Sequence, residues 1–183
     1  MSQALAAVAR LARRPAPGRA AAIDFEALYR DCRDDVYAYV ATMLRDPAAA
    51  EDVVASAFER AYRKHRQFDA RRGTTRAWVF GIARNAALDE LRRRRRHAAL
   101  PLEPADKVAP PLDDHVEDPV RRAAVRAALE SLRPRDREIV ALKFGAGLSN
   151  GELATVLGTS ESNAGTLVHR AMTTLREACR VPA

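Results

Sequence analysis

The sequence predicts an all-α protein made of two small helical domains joined by a flexible acidic linker. Three observations lead to this prediction. Apolar residues recur at helical spacing, as in Phe25, Leu28, Cys32 and Val36, and strand-like alternation is missing. An acidic, proline-rich stretch separates two such regions. The C-terminal region has the order helix, glycine-containing turn, helix, which is the helix-turn-helix layout.

The predicted boundaries follow changes in composition along the 183 residues. Residues 1–23 are expected to form a basic, mostly disordered extension. Arginines interrupt its apolar run before it reaches the length of a signal peptide or a membrane span. The first domain covers residues 24–96, the linker residues 97–119, and the second domain residues 120–180.

Two helices open the first domain. The first begins at Asp24. Pro47, followed by Glu51 and Asp52, is a helix-start pattern, and it predicts a second helix from about Ala48 to His65. The side chains that we expect this second helix to bury are Val53, Val54, Ala57, Phe58 and Ala61.

A third helix is predicted from Arg76 to about Arg96, after a turn at Gly73 and an N-cap at Thr74 or Thr75. It ends in the run RRRRRH. Residues 60–96 contain 13 lysines and arginines against three acids, a local charge of about +10. Because adjacent like charges repel and raise the cost of a helix, a purely structural role for this run is not expected.

The linker, residues 97–119, reverses this charge. It contains five prolines, which prevent a helix, and its net charge is about −5. The reversal marks a boundary between two domains.

Four helices are predicted in the second domain. The first two run from about Val120 to Leu132 and from Arg135 to Phe144. Ser149 and Glu152 form an S-x-x-E capping box at the start of a short helix, Gly151–Leu157.

The last helix begins after Gly158 and Ser160, which end the short helix and cap the next one, and it runs to about Cys179. Its predicted buried stripe consists of Ala164, Leu167 or Val168, Ala171 and Leu175. Its predicted outward residues are Asn163, Thr166, His169, Arg170 and Thr173.

Composition limits the function classes. A net charge of +7 and a pI near 10.1 favour a partner rich in phosphate or acid, above all nucleic acid, although anionic lipid and an acidic protein fit as well. Cys32 and Cys179 are far apart in the sequence and form no C-x-x-C motif, which fits a reducing cytoplasm. No histidine is spaced from another histidine or from a cysteine as metal ligands usually are. No segment is long and apolar enough for membrane insertion.

The third helix has the residue types for holding nucleic acid. Arginines neutralise phosphates without reading sequence, and aromatic or small polar groups such as Asn85 can hold a base taken out of the stack. The structural alternative is that Trp78 and Phe80 belong to the core, which the register of Trp78 with Ile82 favours.

Catalytic motifs are not found. The sequence has no glycine-rich phosphate loop, no G-x-S-x-G and no H-E-x-x-H, and its adjacent acid pairs, such as Asp34 with Asp35, point in different directions on helices. We therefore predict no catalytic residue, no metal and no cofactor.

Three segments in order carry a family resemblance: DPAAAEDVVASAFERAYRKHRQF, TTRAWVFGIARNAALDELRRRRR and LRPRDREIVALKFGAGLSNGELATVLGTSESNAGTLVHRAMTTLRE. Together they resemble the extracytoplasmic-function (ECF) group of bacterial RNA polymerase sigma factors in the sigma-70 family. The resemblance assigns residues 24–96 to sigma region 2 and residues 120–180 to region 4. It implies a non-catalytic protein that binds core RNA polymerase and directs it to promoter DNA.

The resemblance also implies roles for individual residues. Those expected on the clamp coiled coil of the largest polymerase subunit are Glu51, Asp52, Ser56, Glu59 and Arg60. Those expected to hold the −10 element are Phe68, Arg71, Arg72, Gly73, Thr74, Thr75, Trp78, Arg84, Asn85, Asp89 and Arg92. Those expected at the −35 element are Lys143, on a phosphate, and Ser160, Asn163, Thr166, His169 and Arg170.

Further partners follow from the same resemblance. They are the flap of the second-largest polymerase subunit and an anti-sigma factor, which the family often uses. The linker would thread toward the active centre, or serve as a solvated spacer. The sequence departs from the family at Ala55, where a glutamine is usual. It also departs in the final helix, which reads SNAGTLVHRA, with Gly165 at its centre, where many members have threonine, valine, a basic residue, serine and arginine.

Two other functions remain open at this point. A stand-alone helix-turn-helix transcriptional regulator would use the second domain alone and leaves the first domain unexplained. A nucleic-acid-processing enzyme would need an acid cluster or a metal site, which the sequence does not provide.

Overall fold

Seven α-helices and no β-strand make up residues 23–97 and 119–180, the parts of the chain that the computed structural model describes. The all-α prediction is thereby confirmed. The predicted basic extension and nearly all of the predicted acidic linker, residues 1–22 and 98–118, lie outside the described residues.

The first two helices start at aspartate caps. Helix α1 (Phe25–Leu44) follows Asp24, whose carboxylate accepts a hydrogen bond from the Ala27 N–H at 3.0 Å. Helix α2 (Pro47–Lys64) follows Asp46, which accepts from the Ala49 N–H at 3.0 Å. Each cap satisfies a helix N–H that has no partner within the helix. All five side chains predicted for the inner side of α2 are buried.

Two short 3₁₀ turns lead from α2 into helix α3 (Thr75–His97). Of the two predicted N-caps, the structure uses Thr74, whose hydroxyl accepts from the Ala77 N–H at 3.1 Å. Gly73 before it has φ 146° and ψ −175°, a conformation available essentially to glycine alone. The turn therefore requires this glycine.

Helices α4 (Pro119–Ser131) and α5 (Pro134–Val140) begin the C-terminal half. The helix predicted to reach Phe144 leaves α-helical geometry at Val140 and continues as one π-helical turn, Ala141–Gly145. In that turn the Ala146 N–H bonds the Ala141 carbonyl, five residues back, at 2.9 Å.

The capping box predicted at Ser149 and Glu152 is present at the start of helix α6 (Asn150–Leu157). Gly158 ends that helix in the left-handed conformation at φ 67°. In helix α7 (Glu161–Arg180), the predicted stripe faces inward, and the five residues predicted to point outward are all exposed.

The two sets of helices share one hydrophobic core. Helix α3 packs against α6, and α1 packs against α5 and the π turn. At this junction the Arg76 guanidinium donates to the Asp35 carboxylate at 2.7 Å and to the Ala146 carbonyl. The sequence predicted two domains connected by a linker, and nothing in its periodicity indicated that they pack together.

Candidate nucleic-acid interface

A cleft of about 520 Å³ opens beside the first half of α3. Six of the residues predicted for the −10 element line it: Phe68, Arg72, Gly73, Thr74, Trp78 and Asn85. Arg71 and Thr75 neighbour these residues in the chain without forming part of the wall. The structure thus gathers residues from the turn and from α3 into one concave site.

Two aromatic rings form part of the wall. The centroids of Phe68 and Trp78 lie 5.5 Å apart, and both side chains are only half-buried. Phe80 is fully buried against Tyr39, so it belongs to the core. Trp78 packs against the edge of the core and also lines the cleft, where its ring can contact an unstacked base.

An ion pair orders the turn in front of the cleft. Asp69 accepts hydrogen bonds from Arg71 Nε and Nη2, each at 3.0 Å, and from the Arg71 N–H at 3.1 Å. The side-chain hydrogen bonds of Arg71 hold the pKa of Asp69 below its usual range. Arg71 remains 90% exposed, so its outer side is free to meet a phosphate.

Arg84 and Asn85 are neighbours with different surroundings. Asn85 is exposed at the cleft, where its amide can donate to and accept from a base edge. Arg84 turns away, and its Nε donates to the Glu138 carboxylate of α5 at 2.7 Å. Burial opposes the charged form of Arg84, but the hydrogen bond to Glu138 raises its pKa overall.

Glu138 also accepts a hydrogen bond from the Tyr39 hydroxyl at 3.2 Å. Burial, followed by the charge of Glu138, raises the pKa of Tyr39 well above its usual range, so the hydroxyl keeps its proton and donates. The carboxylate is therefore held by one residue of α1 and one of α3.

The arginine run at the end of α3 is largely ion-paired. Arg92 donates to Asp89 at 2.8 Å, and both are exposed. Arg93 and Arg94 both donate to Glu90, at 2.7 and 2.8 Å, and lower its pKa to about 2.

Arg94 also reaches beyond its own helix. It donates to the Asp46 carboxylate at 2.8 Å and to the Leu44 carbonyl at 3.4 Å. Arg94 thus ties the end of α3 to the junction of α1 and α2, a structural role that the sequence did not indicate. Arg95 and Arg96 are exposed and make no ion pair within the described residues.

The helix-turn-helix presents a polar face. Asn163, Thr166, His169 and Arg170 are exposed on α7, and Ser160 caps that helix through the Asn163 N–H at 3.2 Å. A Cβ at the central glycine would lie 3.6 Å from the Asn150 amide nitrogen, an ordinary contact. Packing within the described protein therefore does not require that glycine.

Lys143, the predicted phosphate contact, also has a partner within the protein. Its ammonium donates to the Leu148 carbonyl at 3.0 Å and is partly buried. In this structure it closes the turn before α6.

The residues predicted to bind the polymerase clamp lie on the outer side of α2. Glu51, Asp52, Glu59 and Arg60 are exposed, and Ser56 is half-buried. A groove beside Glu51 runs between α1 and α2, with Tyr29, Arg33, Asp34, Tyr37, Val54 and Ala55 in its wall.

Three residues were not predicted to belong to this site: Arg76, Glu138 and Glu152, of which Glu152 was predicted only as part of a capping box. The spacing of Glu138 indicated a buried position. It lies four residues before the buried Leu142, on the same side of the helix predicted from Arg135 to Phe144. A carboxylate on an inward face requires a partner. Its partners are 54 and 99 residues away, which no local pattern reveals.

Neither a cluster of three side chains able to hold a metal nor a helix able to cross a membrane occurs within residues 23–97 and 119–180.

Comparison with known proteins gives consistent matches. The family model for Sigma-70 region 2 matches residues 28–97, and the model for Sigma-70, region 4 matches residues 122–175. The ECF RNA polymerase sigma factor BldN of Streptomyces coelicolor is 33% identical over 154 residues, covering 82% of this chain and 58% of BldN. The chain thus spans less than two thirds of that relative.

Two further similarities extend these matches. The ECF RNA polymerase sigma factor SigL of Mycobacterium tuberculosis is 28% identical over 82% of this chain and 85% of SigL. The sigma factor RpoE of Bartonella quintana, solved in complex with the anti-sigma factor NepR, has the same fold, with a TM-score of 0.66 and 23% identity over 87% of this chain and 99% of that one.

Proposed function

The chain belongs to the ECF group of sigma-70 family RNA polymerase sigma factors, and on that premise we propose that it binds core RNA polymerase, recognises promoter −10 and −35 elements and promotes strand opening. The observation that carries the proposal is the aromatic and amide-lined cleft at the start of α3. A stand-alone helix-turn-helix regulator would have no use for that cleft or for region 2, so it is not favoured.

The cleft is proposed to take a base of the −10 element from the stack. Opening duplex DNA costs roughly 1.4 kcal/mol per base-pair step, and an aromatic platform recovers about 1 to 3 kcal/mol per base. Phe68 and Trp78 supply the platform, and Asn85 supplies donor and acceptor atoms. Arg71, Arg72 and the exposed end of the arginine run would meet the phosphates, a sequence-independent contribution. The flanking residues Thr74, Thr75, Asp89 and Arg92 complete this proposed surface.

Region 4 is proposed to position the complex at the −35 element. A specific base contact is typically an arginine or lysine bidentate to guanine, and the first half of α7 offers one such exposed residue, Arg170. Ser160, Asn163, Thr166 and His169 suit phosphates and groove shape. Lys143 donates to the Leu148 carbonyl and keeps two further N–H donors for a phosphate. Affinity would therefore rest mainly on the arginines of region 2 and on the polymerase.

The outer side of α2 is proposed to contact the clamp coiled coil of the largest polymerase subunit, through Glu51, Asp52, Ser56, Glu59 and Arg60. Exposed charges of both signs and the adjoining groove support this assignment. Region 4 would contact the flap of the second-largest subunit. Residues 97–119 are proposed as the linker between the regions, residues 24–96 and 120–180.

Regulation and location follow from the family. RpoE of Bartonella quintana was solved with an anti-sigma factor, and we propose that this chain also has such a partner. Sigma factors are non-enzymatic regulators of transcription initiation, and we propose that this chain has no catalytic residue and no cofactor of its own. It would act in the cytoplasm, with the polymerase.

The proposal is tested with Asn85→Ala. Loss of one amide contact, about 1 kcal/mol, should reduce open complexes about fivefold on a promoter mapped from transcription start sites after overexpression. Open complexes are measured by permanganate reactivity, and core binding by gel filtration should stay unchanged. On a template with the −10 segment alone, Asn163→Ala is a matched control, expected to open normally. Wild-type opening by Asn85→Ala would remove this residue from the site, and absence of any complex with core polymerase would defeat the proposed function.

A further inference from the structure

The first residue of α6, Asn150, carries a side-chain amide that the fold leaves without a hydrogen bond. Its Oδ1 is buried and accepts from no group within residues 23–97 and 119–180, and its Nδ2 donates to none there. Buried polar side-chain atoms usually have a partner, so an amide held in this way needs an explanation beyond the packing of the helices.

A gap in α7 lies beside this amide. Gly165 is half-exposed on α7, and a Cβ at that position would lie 3.6 Å from Asn150 Nδ2. Among the described residues, this nitrogen is the only atom outside α7 within 4 Å of that position. Because Gly165 has no side chain, the N–H donors of Asn150 stay open to a group that approaches α7 from outside.

Glycine at this position destabilises the helix. In a helix interior glycine is less favourable than alanine, because its backbone loses more conformational freedom on folding. A Cβ at Gly165 would make only an ordinary contact, so packing gives no reason for the glycine. Two unfavourable features, an amide without a hydrogen bond and a glycine inside a helix, thus meet at one contact. Such departures from local rules are typical of binding sites.

The surroundings of Asn150 favour a DNA phosphate as its partner. In a helix-turn-helix the first helix crosses the DNA backbone while the second enters the major groove, which places the start of α6 against phosphates. The ammonium of Lys143 donates to the Leu148 carbonyl, two residues before Asn150, and adds positive charge on this side. The carboxylate of Glu161 lies on the other flank, 3.8 Å from the Cβ position of Gly151, and opposes a phosphate there.

We propose that Asn150 Nδ2 donates a hydrogen bond to a phosphate oxygen of the −35 DNA, and that Gly165 is the residue that lets this phosphate reach the amide. The inference rests on the proposed −35 recognition by region 4. It adds a DNA-binding residue on α6 to the polar face of α7 and gives the central glycine of α7 a role in binding. A phosphate contact fixes the position of the helix and is the same for every base sequence.

The test uses holoenzyme assembled from core polymerase and the full chain. The ligand is a duplex that carries the −35 segment of the mapped promoter and ends before the −10 segment. Asn150→Ala, Gly165→Ala and the double variant are compared with wild type. Gly81→Ala, the same change inside α3 at a position where a Cβ meets open space, is the matched control. Fluorescence anisotropy gives the dissociation constant, and urea denaturation of the free chain gives its stability.

Stability and binding should change in opposite directions in Gly165→Ala. Its urea midpoint should rise by about 0.5 M, as in Gly81→Ala, because alanine favours a helix. Its binding to the duplex should nevertheless weaken about fivefold, the contribution of one hydrogen bond, whereas Gly81→Ala should bind as wild type does. Asn150→Ala should weaken binding by a similar factor without losing stability, since its amide has no hydrogen bond to lose.

The double variant tests whether both changes act on one contact. It should bind about fivefold more weakly than wild type, and not about twenty-five-fold, because each change alone removes the same hydrogen bond. Wild-type affinity in either single variant, or a double variant that loses the product of the two factors, would overturn the inference.

A duplex with a scrambled −35 segment separates this inference from the proposed function. Equal binding of wild-type holoenzyme to the intact and scrambled segments would defeat −35 recognition, yet both single variants should still weaken binding to the two duplexes if the phosphate contact exists. A loss of affinity on the intact segment alone would place a base edge at the amide and refute the phosphate contact.

Discussion

Arg94→Ala tests whether the arginine run stabilises the fold. In the structure Arg94 connects three carbonyl or carboxylate groups: Glu90 on its own helix, Asp46 at the start of α2 and the Leu44 carbonyl at the end of α1. The side chains of Arg94 and Asp46 are about one third exposed or less, and that of Glu90 is 12% exposed. The substitution leaves two carboxylates without this partner.

The expected magnitude follows from these contacts. A hydrogen bond to a charged group contributes about 1.5 to 3 kcal/mol when buried, and partial exposure reduces the contribution. Since Arg93 still compensates Glu90, we expect Arg94→Ala to lower the free energy of unfolding by about 2 to 3 kcal/mol. For a chain of this size the melting temperature should fall by about 5 to 10 °C.

Arg95→Ala is the matched control. Arg95 is exposed and unpaired within the described residues, so its removal should change stability by less than about 0.5 kcal/mol. It should instead weaken DNA binding and reduce the slope of log affinity against log salt by about 0.7 to 0.9, the value of one phosphate contact. Urea denaturation and a salt titration measure the two effects. Equal unfolding free energies for Arg94→Ala and Arg95→Ala would refute the assignment.

Two further predictions concern local electrostatics and capping. Glu90 has its pKa lowered to about 2 from the ordinary value of 4.5 by hydrogen bonds from Arg93 and Arg94, so its stabilisation is complete above about pH 4.5 and is lost as the pH falls toward 2. Compared with wild type, Glu90→Gln should have a free energy of unfolding lower by on the order of 2 kcal/mol at neutral pH, and it should lose less of that free energy between pH 5 and 2.5. Parallel plots of unfolding free energy against pH for the two proteins would contradict this. Ser149→Ala removes the cap that accepts from the Glu152 N–H at 3.2 Å and should cost about 1 kcal/mol in urea denaturation. Thr173→Ala, which removes an exposed hydroxyl on α7, is its control, and equal stability of the two variants would show that the cap contributes nothing.

Helix boundaries and inward faces were largely predictable because they depend on residues close in sequence. Aspartate caps, Pro47 at a helix start, the Ser149 and Glu152 capping box and Gly158 each act within one turn of helix. The same reasoning separated the buried and exposed faces of α7. The aromatic and amide residues of the cleft were also predicted, since they lie within 18 residues of one turn and helix.

Partner choice among the charged residues was decided only by tertiary structure. From the sequence, Arg84 and Arg94 resemble every other arginine of the basic helix, and Glu138 is the last residue of the charged run RPRDRE that precedes an apolar stretch. Folding brings Arg94 to Asp46, 48 residues away, and brings Arg84 and Tyr39 to Glu138, 54 and 99 residues away. Local periodicity determines which side of a helix is buried, because that depends on spacing along one helix. The pairing of these charges depends on how separate helices pack, and that packing also brings residues of α6 and the following turn into the wall of the cleft that the sequence had assigned to DNA.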